Sequence, residues 1–306
     1  MPGYTWHILS YAVVMIFIIM IAYRTYAIIK LPLHLRWELA PIPHEKGKNQ
    51  YGGSYLEEYE WWRMPRRKSQ LAPLVYMAKE IIFLRGVWVT NRALWPFSFS
   101  FHTGIYLILG MMVLQLINVL LLQLEIHTQI LDISFGVVSV ISLIGYLLGS
   151  LGTVGLFLKR TIDGDLRPFN TVSKYFNLLL LGAVFISGGY ARLFVADFTF
   201  ELVSFIKGLI TLHEGMVVTF PMSLHFGISF LFLLYLPFSD MIHFVAKYFT
   251  YHQVRWDDLP QHEKMEKKLG LLLAQPISWS ANHIGADGRK SWIEVASTDI
   301  NNDKET

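Results

Sequence analysis

The sequence predicts an all-α integral membrane protein with five transmembrane helices, and its composition and its long uncharged segments are the observations that predict this. Of the 306 residues, 53% are hydrophobic and 16% are charged, and the mean hydropathy is +0.40. Soluble domains usually carry about 25% charged residues. About 20 helical residues cross a bilayer core. Five segments of about that length or longer lack Asp, Glu, Lys and Arg: residues 1–23, 93–124, 133–158, 175–191 and 215–239.

The orientation follows from where the basic residues lie. Twelve Lys or Arg fall between Arg24 and Arg92, four between Lys159 and Lys174, and eight from Lys247 onward. The two opposite loops hold only two basic residues. Because cytoplasmic loops are enriched in Lys and Arg, the N-terminus is predicted outside and the C-terminus in the cytoplasm. We expect a multi-pass protein of the cell's inner membrane.

The chain divides into four regions by the same criteria. Residues 1–30 form the first transmembrane helix, because no basic region precedes the apolar run as in a signal peptide. Residues 31–97 form a cytoplasmic loop that includes an interfacial helix at 71–95. Residues 98–246 form a four-helix membrane core, and residues 247–306 form a cytoplasmic tail. The aromatic and charged loop at 36–68 is either a docking surface for a partner or a cap on the bundle.

The chain contains no cysteine, which excludes several classes of redox site. Disulfides, iron–sulfur clusters, thiolate zinc sites and covalently attached c-type haem all need Cys sulfur. Any redox centre here must be held by His, Met or carboxylate. No Walker, GxGxxG or HExxH motif occurs, and we expect no nucleic-acid partner.

Three of the eleven histidines lie within or at the ends of predicted helices two and five. An ionisable residue at membrane depth is a candidate for function. His102 begins helix two and His243 ends helix five, so the predicted orientation puts both near the cytoplasmic face. Two imidazoles at one depth predict a bis-His b-type haem, because its iron takes a nitrogen ligand on each face. The alternative is that each imidazole bonds a backbone carbonyl or lies among lipid head groups.

His225 lies eighteen residues before His243, which is five helical turns, so both are predicted on one helix face about 27 Å apart. A second haem at His225 needs another ligand, and Met112, ten residues after His102, is the best-placed candidate. Apolar packing is the alternative for Met112. Six other residues compete for the ligand role: Met111, Gln115, Asn118, His7, His127 and His213.

The chain resembles a known family in three motifs: FHTGIYLILG at 101–110, LHFG at 224–227, and LPFS at 236–239 followed by His243. These resemble the gamma-subunit of respiratory nitrate reductase. They also resemble the cytochrome b subunits of sulfite-reductase-associated, heterodisulfide-reductase-like and tetrahaem-cytochrome complexes of sulfate reducers. The resemblance covers residues 98–246, and helix one more loosely.

The resemblance implies a five-helix subunit with two b haems that exchanges electrons with a quinone such as menaquinone. By position, His102 and His243 match the ligands of the cytoplasmic-side haem and His225 matches one ligand of the outer haem. The family usually has a histidine where this chain has Met112. The outer haem is therefore expected to be His/Met, to use another ligand, or to be absent. His213 is a candidate for lining a quinone pocket.

The resemblance also implies partners. The cytoplasmic one is an iron–sulfur protein of heterodisulfide-reductase type, and further membrane subunits and an extracytoplasmic multihaem cytochrome c are also implied. We therefore expect a membrane cytochrome b subunit that passes electrons between quinone and that partner in anaerobic respiration. Two alternatives predict no haem: a transporter or channel subunit with intramembrane histidines as a proton relay, and a haem-free membrane anchor.

Overall fold

The computed structural model describes residues 3–32, 42–45, 47–61, 64, 69–126, 129–212, 217–251, 254 and 263–297. These residues form eleven α-helices and one small two-stranded sheet. The helices are α1 Gly3–Ile29, α2 Leu71–Phe83, α3 Arg85–Thr90, α4 Trp95–Gln123, α5 Gln129–Ile162, α6 Val172–Phe194, α7 Phe198–Thr211, α8 Phe220–Tyr235, α9 His243–Thr250, α10 Glu263–Leu273 and α11 Trp292–Ser297.

Five of the helices are long and apolar enough to cross a membrane, which confirms the predicted all-α, multi-pass class. They are α1, α4, α5, α6 and α8, and the fifth span also includes the 3₁₀ turn that follows α8, to Phe238. α5 is longer than predicted because Asp132, Lys159 and Arg160 lie within its ends. Long basic side chains at a helix end can extend toward water while their methylenes stay in apolar surroundings.

Small residues set the packing of α4 against α5. A methyl group at Gly104 would lie 2.5 Å from the Gly149 backbone nitrogen, so the two backbones meet there. Gly152 in the same way meets the backbone of Phe101. Close approach between small residues is a common basis of helix association in membranes. The structure thus uses Gly104 and Gly152 for close helix packing.

Outside the long spans, the structure differs from the prediction in two segments. The predicted interfacial helix is two helices, α2 and α3, which meet at Leu84 with φ of 49°. α7 lies in a segment that was predicted as a loop. Asp197 starts it by accepting a hydrogen bond from the Phe200 backbone N–H, which is a common way to cap a helix N-terminus.

The fifth span is interrupted before His243. α8 ends at Tyr235, and two 3₁₀ turns follow at Leu236–Phe238 and Asp240–Ile242. Ser239 joins them, because its hydroxyl oxygen accepts a hydrogen bond from the Met241 N–H. A 3₁₀-helix has 3.0 residues per turn, whereas an α-helix has 3.6, so the helical pattern of α8 does not continue to His243. The prediction of one continuous helix from His225 to His243 was therefore wrong.

The chain splits into two compact units, of which residues 1–33 and 70–255 are the first. In the second, Ser54 is fully buried, its hydroxyl donates to Glu45, and Glu57 closes a capping box on the Ser54 backbone N–H. Strands β1 Ser280–Ala281 and β2 Ala286–Asp287 pair antiparallel in the same unit.

Candidate functional site: a histidine pair and a buried histidine

His102 and His243 lie side by side although 140 residues separate them in sequence. Their ring centroids are 6.4 Å apart and their planes are inclined by 70°. His102 lies two turns after the start of α4 and is half-buried, while His243 is the first residue of α9 and is exposed. The 3₁₀ turns after α8 thus bring the end of the fifth span to the start of the second.

One nitrogen of each ring is bonded to the backbone of its own turn. His102 Nδ1 lies 2.7 Å from the Ser98 carbonyl oxygen, and His243 Nδ1 lies 3.2 Å from the Asp240 carbonyl oxygen. A carbonyl oxygen can only accept, so both Nδ1 atoms carry the proton and donate. Each neutral ring therefore has its lone pair on Nε2. Each imidazole thus bonds a backbone carbonyl, as the alternative to the ligand role supposed, but through Nδ1, which leaves Nε2 able to bind a metal.

The distance between the two ring centres and the tautomer of each ring are compatible with two ligands on one metal. With metal–nitrogen bonds of about 2.0–2.1 Å, two imidazoles on opposite sides of one metal have ring centres roughly 6 Å apart. Metal-bound histidines usually donate their second ring N–H to a carbonyl or carboxylate, as both do here. Haem iron takes two axial ligands from protein. These donor atoms therefore fit a b-type haem.

Aromatic side chains adjoin the His102 ring. The Phe101 ring lies 5.1 Å from it at right angles, and the Tyr106 ring lies 6.3 Å away. The Tyr106 hydroxyl donates to the Ile81 carbonyl oxygen in α2 at 2.7 Å. Two of these side chains come from the FHTGIYLILG motif, so the motif supplies both the histidine and part of its apolar surroundings.

A partly buried ion pair links the helix that carries His243 to the segment before the second span. Lys247, one turn further along α9, donates to Glu80 Oε1 at 3.0 Å. The other oxygen of Glu80 accepts the Gly86 backbone N–H at 2.8 Å. The carboxylate thus joins the end of α2, the start of α3 and α9, and Leu84 takes its left-handed conformation between them. Neither Glu80 nor Lys247 was singled out from the sequence.

His225 is enclosed in the membrane bundle, with a partner on each nitrogen. The Ser187 hydroxyl lies 3.1 Å from Nδ1, and the Tyr146 hydroxyl lies 3.2 Å from Nε2. Ser187 donates to the Val184 carbonyl oxygen, so its own oxygen accepts from His225 Nδ1–H. The lone pair is therefore on Nε2 and accepts the Tyr146 O–H. All three membrane histidines therefore have the same tautomer. In His225, however, the Nε2 lone pair is already bonded to the Tyr146 hydroxyl.

The structure does not bring Met112 to His225. The Met112 side chain is 55% exposed on the surface of α4, whereas the neighbouring Met111 is 2% exposed and belongs to the apolar core. The ligand role of Met112 stays a prediction. Gln115 and Asn118, two of its competitors, are fully buried and bond each other. His127 and His213 lie outside the described residues.

Tyr146 is the clearest residue that sequence reasoning missed. It is 3% exposed, and the absence of a side chain at Gly188 leaves room for its ring. A tyrosine in the middle of an apolar run is a detectable signal, because its hydroxyl needs a partner when buried. Its partner lies 79 residues away on another helix, which no local pattern indicates.

Among the residues that the structure describes, no group of three or more His, Asp or Glu side chains has the arrangement of a metal-ion site. Comparison with known proteins adds no family to the geometry. No protein-family model matches the chain, and no curated protein matches it. The resemblance to the nitrate reductase gamma-subunit therefore rests on the three short motifs alone.

Proposed function

We propose that this chain is the membrane cytochrome b subunit of an anaerobic respiratory complex, which passes electrons between a quinone pool and a cytoplasmic iron–sulfur partner. The observation that carries the proposal is the pairing of His102 with His243. The distance between the ring centres suits two imidazoles on one metal. Both rings are bonded through Nδ1, so the Nε2 lone pair of each could bind the metal.

The residues of the chain have separate parts in this proposal. His102 and His243 would hold the haem iron through their Nε2 atoms, and the Ser98 and Asp240 carbonyls fix the tautomer and orientation of the two rings. Phe101 supplies apolar contact beside His102. When bound there, a b-type haem supplies one-electron transfer at a potential set by its ligands and surroundings. Lys247 and Glu80 are positioning residues, since they act through α9.

A second haem at His225 is part of the expectation from the resemblance. His225 Nε2 carries the lone pair that an iron needs, and Ser187 holds the other nitrogen as a metal-bound histidine requires. Tyr146 would have to leave Nε2 for that haem to bind. The inner site thus has stronger support than the outer one, and Met112 remains a candidate for the second outer ligand.

The charge distribution supports a partner on the cytoplasmic side. Of the 26 Lys and Arg, 24 lie on one predicted side of the membrane, which is also the side of His102 and His243. The chain has no cysteine with which to hold iron–sulfur clusters itself. An iron–sulfur subunit of heterodisulfide-reductase type would meet this need, with further membrane subunits or an outer multihaem cytochrome c completing the complex.

A proton relay in a transporter or channel subunit is the second candidate. The chain of hydrogen bonds from Tyr146 through His225 to Ser187 favours it. That chain ends at the Val184 carbonyl oxygen, which cannot pass a proton on. The relay reading also gives no role to the pairing of His102 with His243, so we rank it second.

Haem quantitation in the purified chain tests the proposal. A reduced-minus-oxidised spectrum should show b-type haem at one or more per chain. His102→Ala and His243→Ala should each remove the same single haem, and His283→Ala, an exposed histidine, should remove none. Full haem content in the His243→Ala chain would overturn the assignment. A wild-type chain without haem would favour the relay or the haem-free anchor.

A further inference from the structure

The chain turns sharply between α2 and α3, and the side chains at this turn have apolar groups outside and a charged group inside. We call residues 80–92, which hold the end of α2 and all of α3, the corner. Ile82, Phe83 and Val89 are 52%, 58% and 70% exposed, whereas the carboxylate of Glu80 is buried. Large exposed apolar groups mark contact with lipid or with another protein. Ionisable residues of membrane segments usually face the protein interior. The corner therefore has the polarity of a lipid-facing surface.

Side chains of α4 bond the carbonyl groups at the end of α2. The Tyr106 hydroxyl donates to the Ile81 carbonyl oxygen at 2.7 Å, and Trp95 Nε1–H donates to the Phe83 carbonyl oxygen at 2.9 Å. Carbonyls in the last turn of a helix have no donor within the helix itself. Water can supply the donor at an aqueous surface, whereas at membrane depth the protein has to supply it. The backbone of the corner is thus bonded in the way that a membrane environment requires.

The bond to Tyr106 also indicates the depth of the corner. Helix α4 has 29 residues and is therefore about 43 Å long, whereas the hydrocarbon layer is about 30 Å thick. Tyr106 lies about 16 Å along the helix from Trp95, so its backbone is inside that layer when the helix is centred in the bilayer. Helical side chains lean toward the helix N-terminus, which returns the Tyr106 hydroxyl to the boundary of the layer. Its partner Ile81 therefore lies where lipid head groups meet acyl chains.

Two arginines at the corner offer positive charge at the same level. Arg85 begins α3 and shares a helix face with Trp88, three residues later. The Arg92 guanidinium lies 4.8 Å from the centre of the Trp88 ring. Both arginines are exposed, and among the described residues neither has a carboxylate partner. A guanidinium group can bind phosphate oxygens through two parallel hydrogen bonds. Both charges are therefore available to an anion outside the chain.

We propose that the corner binds an anionic phospholipid from the leaflet on its side of the membrane. Arg85 and Arg92 hold the phosphate, and the acyl chains lie along Ile82, Phe83 and Val89. Tryptophan is enriched at the level of lipid head groups, which is the place that this arrangement gives to the ring between the two arginines. The site goes beyond the proposed electron transfer, since a phospholipid carries no electrons.

Other occupants match the corner less well. A soluble anion such as free phosphate would leave the exposed apolar side chains without contacts. A lipid without net charge would cover them but would not balance the charge of Arg85 and Arg92. A protein partner would have to enter the membrane boundary to reach them. The distribution of basic residues predicts that this side is cytoplasmic, where membranes concentrate their anionic lipids. An anionic phospholipid meets both the apolar and the charged requirement.

Fluorescence quenching at a single introduced cysteine tests the inference, because the chain has no cysteine of its own. Val89→Cys is labelled with bimane in the full-length chain, which is then placed in phosphatidylcholine nanodiscs. The probes are phosphatidylglycerol and phosphatidylcholine that each carry a nitroxide on one acyl chain. Phosphatidylglycerol should give half-maximal quenching at a mole fraction about tenfold lower than phosphatidylcholine does, because each arginine near the membrane surface favours an anionic lipid.

Variants of the labelled chain separate the two arginines from general charge. Arg85→Gln and Arg92→Gln should each reduce the preference for phosphatidylglycerol about fivefold. Arg167→Gln, an exposed arginine between α5 and α6 on the same predicted side, should leave the preference unchanged. A second reporter at Ile130→Cys, exposed at the start of α5 and predicted on the other side, should show no preference between the two lipids. Helical circular dichroism checks that each variant is folded.

Three outcomes would overturn the inference. Equal quenching of the Val89→Cys label by the two lipids, or a preference that persists when Arg85 and Arg92 are both replaced by Gln, would show that no anionic lipid is bound there. Absence of quenching by either lipid would mean that water or a protein covers the corner. Loss of the preference on addition of sodium phosphate at constant ionic strength would assign the arginines to a soluble anion. None of these results depends on the haem content of the chain.

Discussion

Lys247 donates to Glu80 across 3.0 Å, and this pair links the segment before the second span to the helix that carries His243. Glu80 is 6% exposed, so its charge depends on Lys247 and on the Gly86 N–H for compensation. Removing one partner of a buried charge usually costs more than the pair contributes.

Lys247→Met should weaken the fold around His243. The carboxylate of Glu80 would keep only the Gly86 N–H, at a cost of about 1–3 kcal/mol. The variant should lose haem more readily on gel filtration and have a lower melting temperature. Lys79→Met, which removes an exposed lysine beside Glu80, is the matched control. Equal behaviour of the two variants would show that the ion pair does not hold α9.

Alanine at Gly104 and at Gly110 should have opposite effects on thermal stability. A methyl group at Gly104 meets backbone atoms of Gly149 and Gly145, which cannot move aside, and overpacking of this kind costs about 1–3 kcal/mol. At Gly110 nothing lies within 4 Å, and replacing glycine inside a helix stabilises by about 0.5–1 kcal/mol. Melting curves in detergent measure both; a tolerated Gly104→Ala would refute the close packing.

Tyr146→Phe should destabilise the bundle by about 1–3 kcal/mol, because it leaves the buried Nε2 of His225 without a donor. Tyr190→Phe is the control, since that residue is 38% exposed. Thermal unfolding of the haem-free chain measures the difference. If Tyr146→Phe melts no lower than Tyr190→Phe, the hydrogen bond to His225 contributes little to the fold.

Met112→Leu tests the second haem ligand. If the Met112 sulfur coordinates the outer iron, leucine should remove that haem, because it offers no donor atom. The haem count should then fall by one while the His102–His243 haem stays. Met111→Leu serves as the comparison from the buried neighbour. An unchanged count and spectrum in Met112→Leu would mean that this side chain is only a lipid-facing residue.

The segment 276–297 should lose protection from hydrogen exchange at acid pH. Backbone N–H groups of Lys290 and Arg289 lower the pKa of Asp287, and the N–H and hydroxyl of Ser291 lower the pKa of Glu294. A carboxyl group whose pKa is lowered by folding stabilises the folded segment at pH values above its ordinary pKa near 4. This stabilisation is lost as the pH falls through the pKa of the folded state. Protection factors at pH 6 and pH 3 measure this.

Asp287→Asn is the control for that experiment. Asparagine keeps an oxygen for the two N–H groups but does not titrate, so the loss of protection between pH 6 and pH 3 should be smaller. Protection that stays constant in the unmodified chain would contradict the role of these carboxylates.

The spans could be predicted from sequence because each is a long run without charge, and the burial of such a run in lipid needs no knowledge of its neighbours. Helix α7 was not predicted, because Glu201 and Lys207 interrupt its run of apolar residues. Only the structure shows that Glu201 turns inward to Thr219. An amphipathic period over residues 198–211 was the available signal.

The candidate site was likewise predicted only in part from the sequence. Orientation and depth predicted that His102 and His243 lie at one level, and the structure has them in contact distance. The 3₁₀ turns that make this possible depend on Pro237 and Ser239, whose effect on direction cannot be read from periodicity. The partners of His225 lie on two other helices, so only the assembled bundle identifies them.

The position of His243 has a consequence for biogenesis. It follows the last membrane span by a few residues and begins a helix that lies after all five spans in the chain. Ribosomes synthesise chains from the N-terminus, so the five spans are made before His243 is. We therefore expect the proposed haem to be captured last, by a bundle already in the lipid. A chain that stops at Ser239 should insert fully, remain haem-free at the inner position, and accumulate as an assembly intermediate.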